Sequence, residues 1–209
     1  MIAVIRSTGS NFASVEFALR RLGVDPVVTE DPDVVTAASH VILPGVGAAR
    51  RGMENLHAAG LDTVIPRLTQ PVLGICLGMQ LMFERSEEDN TPGLDIFRGN
   101  VRRLDGSSGL PIPHMGWNMV QHVPDASSPV SAARDGWAYF VHSFAPDVGP
   151  DTVATTDYTC SFTSIAVRDN FVGVQFHPER SASFGAAVLE SFLRMDVQPV
   201  TADASGGTS

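Results

Sequence analysis

The chain has 209 residues, of which 44% are hydrophobic, and this composition suits one domain with a substantial core. Its formal net charge is −9 and it contains no lysine, so the basic patch typical of nucleic-acid binding is not expected. The apolar run at the N-terminus is too short for a signal peptide or a membrane span. The two cysteines, Cys76 and Cys160, have neither a disulfide-framework nor a metal-site spacing, which favours a cytoplasmic protein with reduced thiols.

Residues 1–76 alternate between strand and helix patterns. Ser10 or Asn11 can cap a first helix, which is expected to run to about Leu22 and end at Gly23. Strands are predicted over residues 2–5, 26–29, 41–43 and 72–75, and a second helix over about 61–68. This β-α-β alternation predicts a parallel sheet covered by helices.

The pattern changes after Pro92, where short strand-like segments follow one another with turns between them. An amphipathic helix over about 181–195 follows these segments. The predicted fold class is α/β, with a mixed, mostly parallel central sheet flanked by helices and an antiparallel, strand-rich second half. Residues 1–197 form a single predicted domain, and residues 198–209 are predicted to be a disordered tail.

The segment GICLGMQ places Cys76 where a buried strand turns into a helix. Leu77, Leu81 and Met82 recur at helical spacing, and the helix meets no breaker until past Asp89. Gly-x-Cys-x-Gly has the layout of a nucleophile elbow, in which a tight turn leaves no room for side chains beside the nucleophile. A helix N-terminus also favours thiolate over thiol. Cys76 is therefore a candidate nucleophile, and the alternative is a small buried hydrophobe.

The segment VQFHPERS supplies the groups that a cysteine nucleophile needs. Val172, Val174 and Phe176 alternate, so a strand is predicted to end at His177. In an extended chain His177 and Glu179 lie on the same side, because they are two residues apart. The imidazole can then take the thiol proton while the carboxylate orients the ring. The alternative is that His177 is a half-exposed turn residue.

The segment PGVGAAR follows another buried strand. A Gly-x-Gly turn at such a place can lend a backbone N–H group to a neighbouring anion. Val46 or Gly47 could thus complete an oxyanion hole with the N–H group of Leu77. A lone Gly-x-Gly is more commonly a simple turn, and the wider glycine spacing of a dinucleotide-binding fingerprint is missing.

Together, GICLGMQ, FHPE and the upstream PGVG resemble the class I, or triad, glutamine amidotransferases, and the resemblance covers nearly the whole chain. It implies that Cys76 attacks the carboxamide of L-glutamine, that His177 is the base and that Glu179 orients it. The products are then glutamate and ammonia, and no cofactor or metal is implied. The resemblance assigns the binding of glutamine to Gln80, Glu88 and the backbone of Ser143 and Phe144. The choice of Glu88 is open, because Glu84 and Glu87 are close in sequence and a charged helix end is the alternative.

Further segments, among them PHMGWN and FVHS, resemble one branch of this family. In that branch ammonia passes through a tunnel into a cyclase subunit with a (β/α)8 barrel, which implies a heterodimer that serves histidine biosynthesis. The residues that the resemblance places at the partner interface are Asn11, Met115, Trp117, Asn118 and Tyr139. The loop RSTGSNF departs from the family's usual Asp-Tyr-Gly and Gly-Asn-Leu pattern, and this departure concerns the interface rather than the triad. Two alternatives stay open: a glutaminase subunit of another synthase, and a scaffold subunit without turnover.

Overall fold

The structure is a computed structural model, and it describes residues 1–6, 12–124, 126, 128–130 and 135–196. The strands of this part of the chain are β1 (Ile2–Ile5), β2 (Val27–Thr29), β3 (His40–Gly45), β4 (Val72–Cys76), β5 (Phe83–Ser86), β6 (Thr91–Pro92), β7 (Phe97–Arg103), β8 (His114–His122), β9 (Gly136–His142), β10 (Phe144–Pro146), β11 (Thr152–Asp157), β12 (Ser161–Arg168) and β13 (Phe171–Val174). The helices are α1 (Phe12–Arg21), α2 (Pro32–Ala37), α3 (Ala49–Ala58), α4 (Leu61–Val64), α5 (Leu77–Gln80) and α6 (Ala182–Leu193). The predicted cap residues Ser10 and Asn11 and the predicted tail 198–209 lie outside the described residues. No helix of the described part is both long and apolar enough to cross a membrane.

A nine-stranded sheet runs through the molecule in the order β2-β1-β3-β4-β13-β12-β11-β8-β9. The first five strands in this order are parallel, and the remaining four are antiparallel. The predicted α/β class is confirmed, as is the antiparallel character of the second half. A smaller sheet has the order β10-β7-β5-β6.

Four parallel strands of the large sheet, β1, β3, β4 and β13, are buried on both faces, as their continuous apolar runs predict, whereas the edge strand β2 is partly exposed. Val4 and Ile42 belong to a core cluster that also contains the apolar residues of α1 and α6. Ile5 and Leu43 point to the other face, where the core is shared with α3, α4 and the small sheet. The molecule thus has three layers. The carboxyl ends of β3, β4 and β13 meet at one edge, where α/β proteins bind ligands.

The long helix predicted after Cys76 is wrong. Helix α5 ends at Gln80, and the chain then forms strand β5. Leu81, Met82 and Phe83 are all buried, so the apolar residues form a continuous run rather than one face of a helix. The carbonyls of Leu81 and Met82 accept hydrogen bonds from the later segment 94–97 instead of from a following helical turn.

Two helices were not predicted from the sequence. Helix α2 follows Asp31, whose side chain accepts a hydrogen bond from the N–H group of Asp33, so the signal was present locally. Helix α3 begins after Ala48, which offers no side-chain cap. Its first N–H group, that of Ala49, donates instead to Glu88 at 2.7 Å. A cap supplied from 39 residues away in sequence leaves no local pattern.

Candidate active site

Cys76 is the last residue of β4 and immediately precedes α5, as predicted. Its φ of 54° and ψ of −113° lie in a region that residues with a side chain rarely adopt. A backbone held in such a conformation costs on the order of 1–3 kcal/mol and persists only where the surrounding structure enforces it. The candidate nucleophile itself thus has a strained backbone, and its side chain is buried at the carboxyl edge of the sheet.

The glycines of GICLGMQ are required by the close approach of the elements around Cys76. A Cβ atom on Gly78 would lie 1.8 Å from the carbonyl oxygen of Leu43 on β3. A Cβ atom on Gly74 would lie 2.8 Å from the backbone nitrogen of Met79 on α5. Since the obstructing atoms are backbone, no side-chain movement could relieve either contact. The glycines thus bring α5 directly onto β3 and β4, and this sets the height of the Cys76 turn above the sheet.

His177 and Glu179 form a buried pair beside this turn. The Nδ1 atom of His177 lies 2.9 Å from Oε1 of Glu179, and only 1% of the Glu179 side chain is exposed. His177 has the predicted extended backbone, but Glu179 lies in a short 3-10 turn, Pro178–Arg180, rather than in an extended chain. The hydroxyl of Ser181 donates to the carbonyl of His177 at 2.7 Å and accepts from the N–H group of Tyr139 at 2.9 Å. This hydroxyl ties the pair to β9.

The surroundings of His177 favour its protonated form. Burial lowers the pKa of His177, but the Cys76 sulfur and the Glu179 carboxylate outweigh burial and raise this pKa to about 10. Since Glu179 occupies Nδ1, the proton of the thiol would go to Nε2. The Nε2 atom is buried and makes no hydrogen bond with another described group. Nε2 is therefore the ring position that is available to exchange a proton with the thiol of Cys76.

A cavity of about 380 Å³ opens at this edge of the sheet, and Cys76 and His177 both line it. Every residue predicted for the oxyanion hole and for glutamine binding lines the same cavity: Val46, Gly47, Leu77, Gln80, Glu88, Ser143 and Phe144. Glu179 does not, because it lies buried behind His177. Sequence reasoning did not assign Val141, His142 and Arg180, which also line the cavity.

The predicted oxyanion donors come together because β3 and β4 pair in parallel, with Gly45 opposite Cys76. Residues 46 and 47 therefore leave β3 next to the first turn of α5, where the N–H group of Leu77 lies. Gly47 has a φ of +96°, a conformation that favours glycine. A peptide in this position could present either the N–H group of Val46 or that of Gly47 to the cavity.

Two of the predicted glutamine-binding side chains have partners in the protein. Of the three acidic candidates, Glu88 alone lines the cavity, while its Oε2 accepts the hydrogen bond from Ala49 that begins α3. The amide of Gln80 donates to the carbonyl of Phe144 at 2.7 Å and to Oε1 of Gln175 at 2.9 Å. Gln175 was not predicted, although it lies two residues before His177.

The amide of Gln175 is in turn a donor to the candidate nucleophile. Its Nε2 lies 3.8 Å from Sγ of Cys76, within reach of a weak hydrogen bond to sulfur. The side chain is fully buried, so this donor is held in a dry environment. A donor in that position stabilises a thiolate more than a thiol.

Strands β8 and β9 form an antiparallel ribbon at the edge of the large sheet, and its two faces differ in character. Met115 and Trp117 are 63% and 51% exposed, and Tyr139 lies opposite Trp117 on the same face. Trp137, which was not predicted, is 56% exposed and extends this apolar face. Asn118 lies on the opposite face, where its amide donates to Asp157 at 2.9 Å. Asn11 is outside the described residues.

Because the thiol, the imidazole and the carboxylate come together at one strand edge, the protein has the arrangement of a triad enzyme with a cysteine nucleophile. Comparison with known proteins narrows this class. The profile of the family "Glutamine amidotransferase class-I" matches residues 4–195, so the chain belongs to the class I glutamine amidotransferase family, as its motifs predicted.

The names of similar relatives point to one branch of this family. The imidazole glycerol phosphate synthase subunit HisH of Idiomarina loihiensis is 44% identical over 194 residues, which are 93% of this chain and 97% of the relative. The subunit of the same name from Pasteurella multocida is 45% identical over 192 residues, 92% of this chain and 96% of the relative. Among solved structures, PurLQS from Thermotoga maritima has the same fold, with a TM-score of 0.65 at 19% identity over 92% of this chain and 96% of that one.

Proposed function

We propose that this chain is the glutaminase subunit of an imidazole glycerol phosphate synthase. It hydrolyses L-glutamine to L-glutamate and ammonia and passes the ammonia to a cyclase subunit. The observation that carries this proposal is the position of Cys76 and the His177–Glu179 pair at one cavity of about 380 Å³. A volume of that order accommodates a free amino acid.

In the proposed reaction the sulfur of Cys76 attacks the carboxamide carbon of glutamine, and His177 takes up the thiol proton. The C–N bond then breaks, and His177 returns the proton to the leaving nitrogen, which departs as ammonia. Water attacks the resulting thioester, again with His177 as the base. The C–S bond breaks, the sulfur regains the proton, and glutamate leaves. Glu179 keeps Nδ1 of His177 engaged throughout, so Nε2 carries the transferred proton.

The oxyanion of each tetrahedral intermediate needs donors at the position where the negative charge forms. The N–H group of Leu77 and one N–H group from Val46 or Gly47 supply them in this proposal. Such donors contribute on the order of 100- to 1,000-fold each to the rate in enzymes of this type of chemistry. In this proposal the oxyanion hole is completed when the partner is loaded, and the positive φ of Gly47 is compatible with a peptide that turns between two orientations.

The glutamine substrate is recognised by its amino and carboxylate groups. Gln80 and Glu88 present an amide and a carboxylate to the cavity, and the carboxylate suits an α-ammonium group. The backbone of Ser143 and Phe144 lines the same cavity and suits the α-carboxylate. Glutamine is thus held by both groups on its α-carbon while its carboxamide, at the other end, reaches Cys76.

The partner in this proposal is a cyclase subunit with a (β/α)8 barrel, which forms a cytoplasmic heterodimer with this chain and uses the ammonia to make imidazole glycerol phosphate. The relatives' shared name, which is that of a synthase subunit, supports such a complex. The apolar face of the β8–β9 ribbon supports it too, because Met115, Trp117 and Trp137 are large exposed side chains on one surface. Arg180 joins this face to the cavity, since its guanidinium lies 4.3 Å from the ring centre of Tyr139.

The experiment that tests this function is glutamate release from glutamine by the purified chain. It is measured with the chain alone, with the cyclase subunit, and with the cyclase subunit and its nucleotide ligand, each beside Cys76→Ala. Strong activity in the third mixture, absent in Cys76→Ala, is the expected result. Equal activity in all three mixtures would contradict the partner assignment, and a folded complex without activity would favour a scaffold subunit.

A further inference from the structure

Two histidines beside the cavity take no part in the proposed chemistry. His142 ends β9 and lines the cavity, and His114 begins β8 directly opposite it. Both residues are buried, with 3% of His114 and 6% of His142 exposed. The Nδ1 atom of His114 lies 3.0 Å from Nε2 of His142. They come from PHMGWN and FVHS, the two segments that set this chain apart from other glutaminases of the family.

The hydrogen bonds around this pair allow only one arrangement of protons if both rings are neutral. The carbonyl of Phe144 can only accept, so His142 donates to it from Nδ1 at 2.9 Å. Its Nε2 must then accept from Nδ1 of His114. Nε2 of His114 accepts in turn from the amide of Asn118 at 3.3 Å. The orientation of that amide is fixed, because its oxygen accepts from the N–H group of Met119 at 2.8 Å.

The surroundings keep both rings neutral. Burial, together with the charges of His114 and His177, lowers the pKa of His142 to about 3, although the hydrogen bond to Phe144 acts in the opposite direction. Burial lowers the pKa of His114 to about 4. Rings of Phe140 and Tyr158 stack on His114 with centroid distances of 4.9 and 4.0 Å. No carboxylate forms an ion pair with either histidine among the described residues.

The chain of hydrogen bonds ends at a wall of the cavity. The same carbonyl of Phe144 also accepts from Gln80 at 2.7 Å, so both of its acceptor sites are used. The carbonyl of Ser143, just before it, accepts from the N–H group of Leu104 at 2.9 Å. The peptides on both sides of Phe144 are thereby fixed, and both residues line the cavity in which glutamine is proposed to bind.

We infer that His142 is a positioning residue for glutamine binding, which holds the Ser143–Phe144 backbone and the Gln80 amide in place and is itself held in one tautomer by His114 and Asn118. This inference rests on the proposed function. His142 need not touch glutamine or exchange a proton in either half of the reaction. Its hydrogen bond to Phe144 spans the break between β9 and β10 and acts there together with the hydrogen bonds from Gln80 and Leu104.

Two substitutions at position 142 separate the hydrogen bond to Phe144 from the bulk of the ring. In His142→Asn the side-chain amide nitrogen lies near the former Nδ1 and can still donate to Phe144. In His142→Gln the amide lies near the former Nε2, so the contact with His114 is retained and the donor to Phe144 is lost. His57→Gln, at an exposed histidine paired with Asp62 in α4, is the matched control for the same replacement elsewhere.

With the cyclase partner and its ligand present, we expect His142→Gln to raise the KM for glutamine about tenfold with kcat changed less than about threefold. We expect His142→Asn to recover most of this loss. A purely structural role would lower the fraction of active enzyme, and thus kcat, without moving KM. Equal KM values in the two variants would therefore overturn the inference, provided that the wild-type complex is active.

A second experiment tests the inference without measuring catalytic activity. Nitrogen-15 NMR of the histidine rings in the full chain, assigned with the single variants, is expected to show Nδ1–H tautomers for both His114 and His142. An Nε2–H tautomer or a cationic ring at position 142 near neutral pH would overturn the inference even in an active enzyme. A wild-type complex that releases no glutamate would overturn the proposed function and the positioning role with it, whatever the tautomers are.

Discussion

Replacing Gly78 with alanine tests whether backbone contact between β3 and α5 builds the catalytic turn. In ordinary contact a Cβ atom lies 3.4 Å or more from its neighbours, and a Cβ atom on residue 78 would lie 1.8 Å from the carbonyl oxygen of Leu43. The two elements would have to separate by about 1.6 Å, although every residue of β3 is buried. Overpacking of a core lowers the free energy of unfolding by about 1–3 kcal/mol and occasionally more. Because the obstacle here is backbone, we expect Gly78→Ala to lower the free energy of unfolding by about 3 kcal/mol or more.

The assay is guanidinium unfolding of Gly78→Ala and of a matched control, Gly149→Ala. Gly149 has ordinary backbone geometry, and the nearest atom to a new Cβ there is 3.7 Å away, so we expect the control to change the free energy of unfolding by less than about 1 kcal/mol. Glutaminase activity of Gly78→Ala should also fall, because Val46 and Gly47 would move away from Leu77. If the two alanine variants were equally stable, the argument that backbone contact sets the turn would be refuted.

Three further predictions concern the triad and the ribbon. Glu179→Gln should lower kcat about 100-fold or more, measured as glutamate release in the active complex, because His177 loses the group that orients it; an unchanged kcat would contradict this role. The raised pKa of His177 adds stability that is fully present below the unfolded pKa of 6.5 and is lost as pH rises through about 10. Glu179→Gln should therefore lower the free energy of unfolding more at pH 6 than at pH 10. An equal loss at both pH values would count against the pairing of His177 with Glu179. Trp117→Ala should weaken cyclase binding about 30-fold in a titration, whereas Phe17→Ala, at an exposed phenylalanine on α1, should not, and similar affinities for the two variants would remove the ribbon from the interface.

The triad could be predicted from sequence because its chemistry leaves short local signatures. A glycine on each side of Cys76 and a carboxylate two residues after His177 are visible without any knowledge of the fold. The parallel topology then brings the two segments together, since both follow neighbouring buried strands. Even so, the geometry of Glu179 was predicted for the wrong reason, because a 3-10 turn rather than an extended chain brings its carboxylate to the ring.

The features that sequence reasoning missed depend on long-range contacts. Helix α3 begins at a cap supplied by Glu88, and the run after Cys76 becomes a strand because β7 pairs with it. The alignment of His114 with His142 follows from the register of β8 and β9, which no local pattern fixes. The same register places Asn118 among the internal hydrogen bonds, although its neighbours Met115 and Trp117 are exposed.

The alternating faces of the β8–β9 ribbon limit how the length of this region can change. The side-chain period of a strand is two residues, so inserting or deleting one residue before Met115 would move Trp117 to the inner face and push its neighbours outwards. One such change would disturb the substrate-side wall and the outer apolar surface together. Engineers who shorten, extend or graft this ribbon should therefore change its length two residues at a time, or confine single-residue changes to the connection between the two strands.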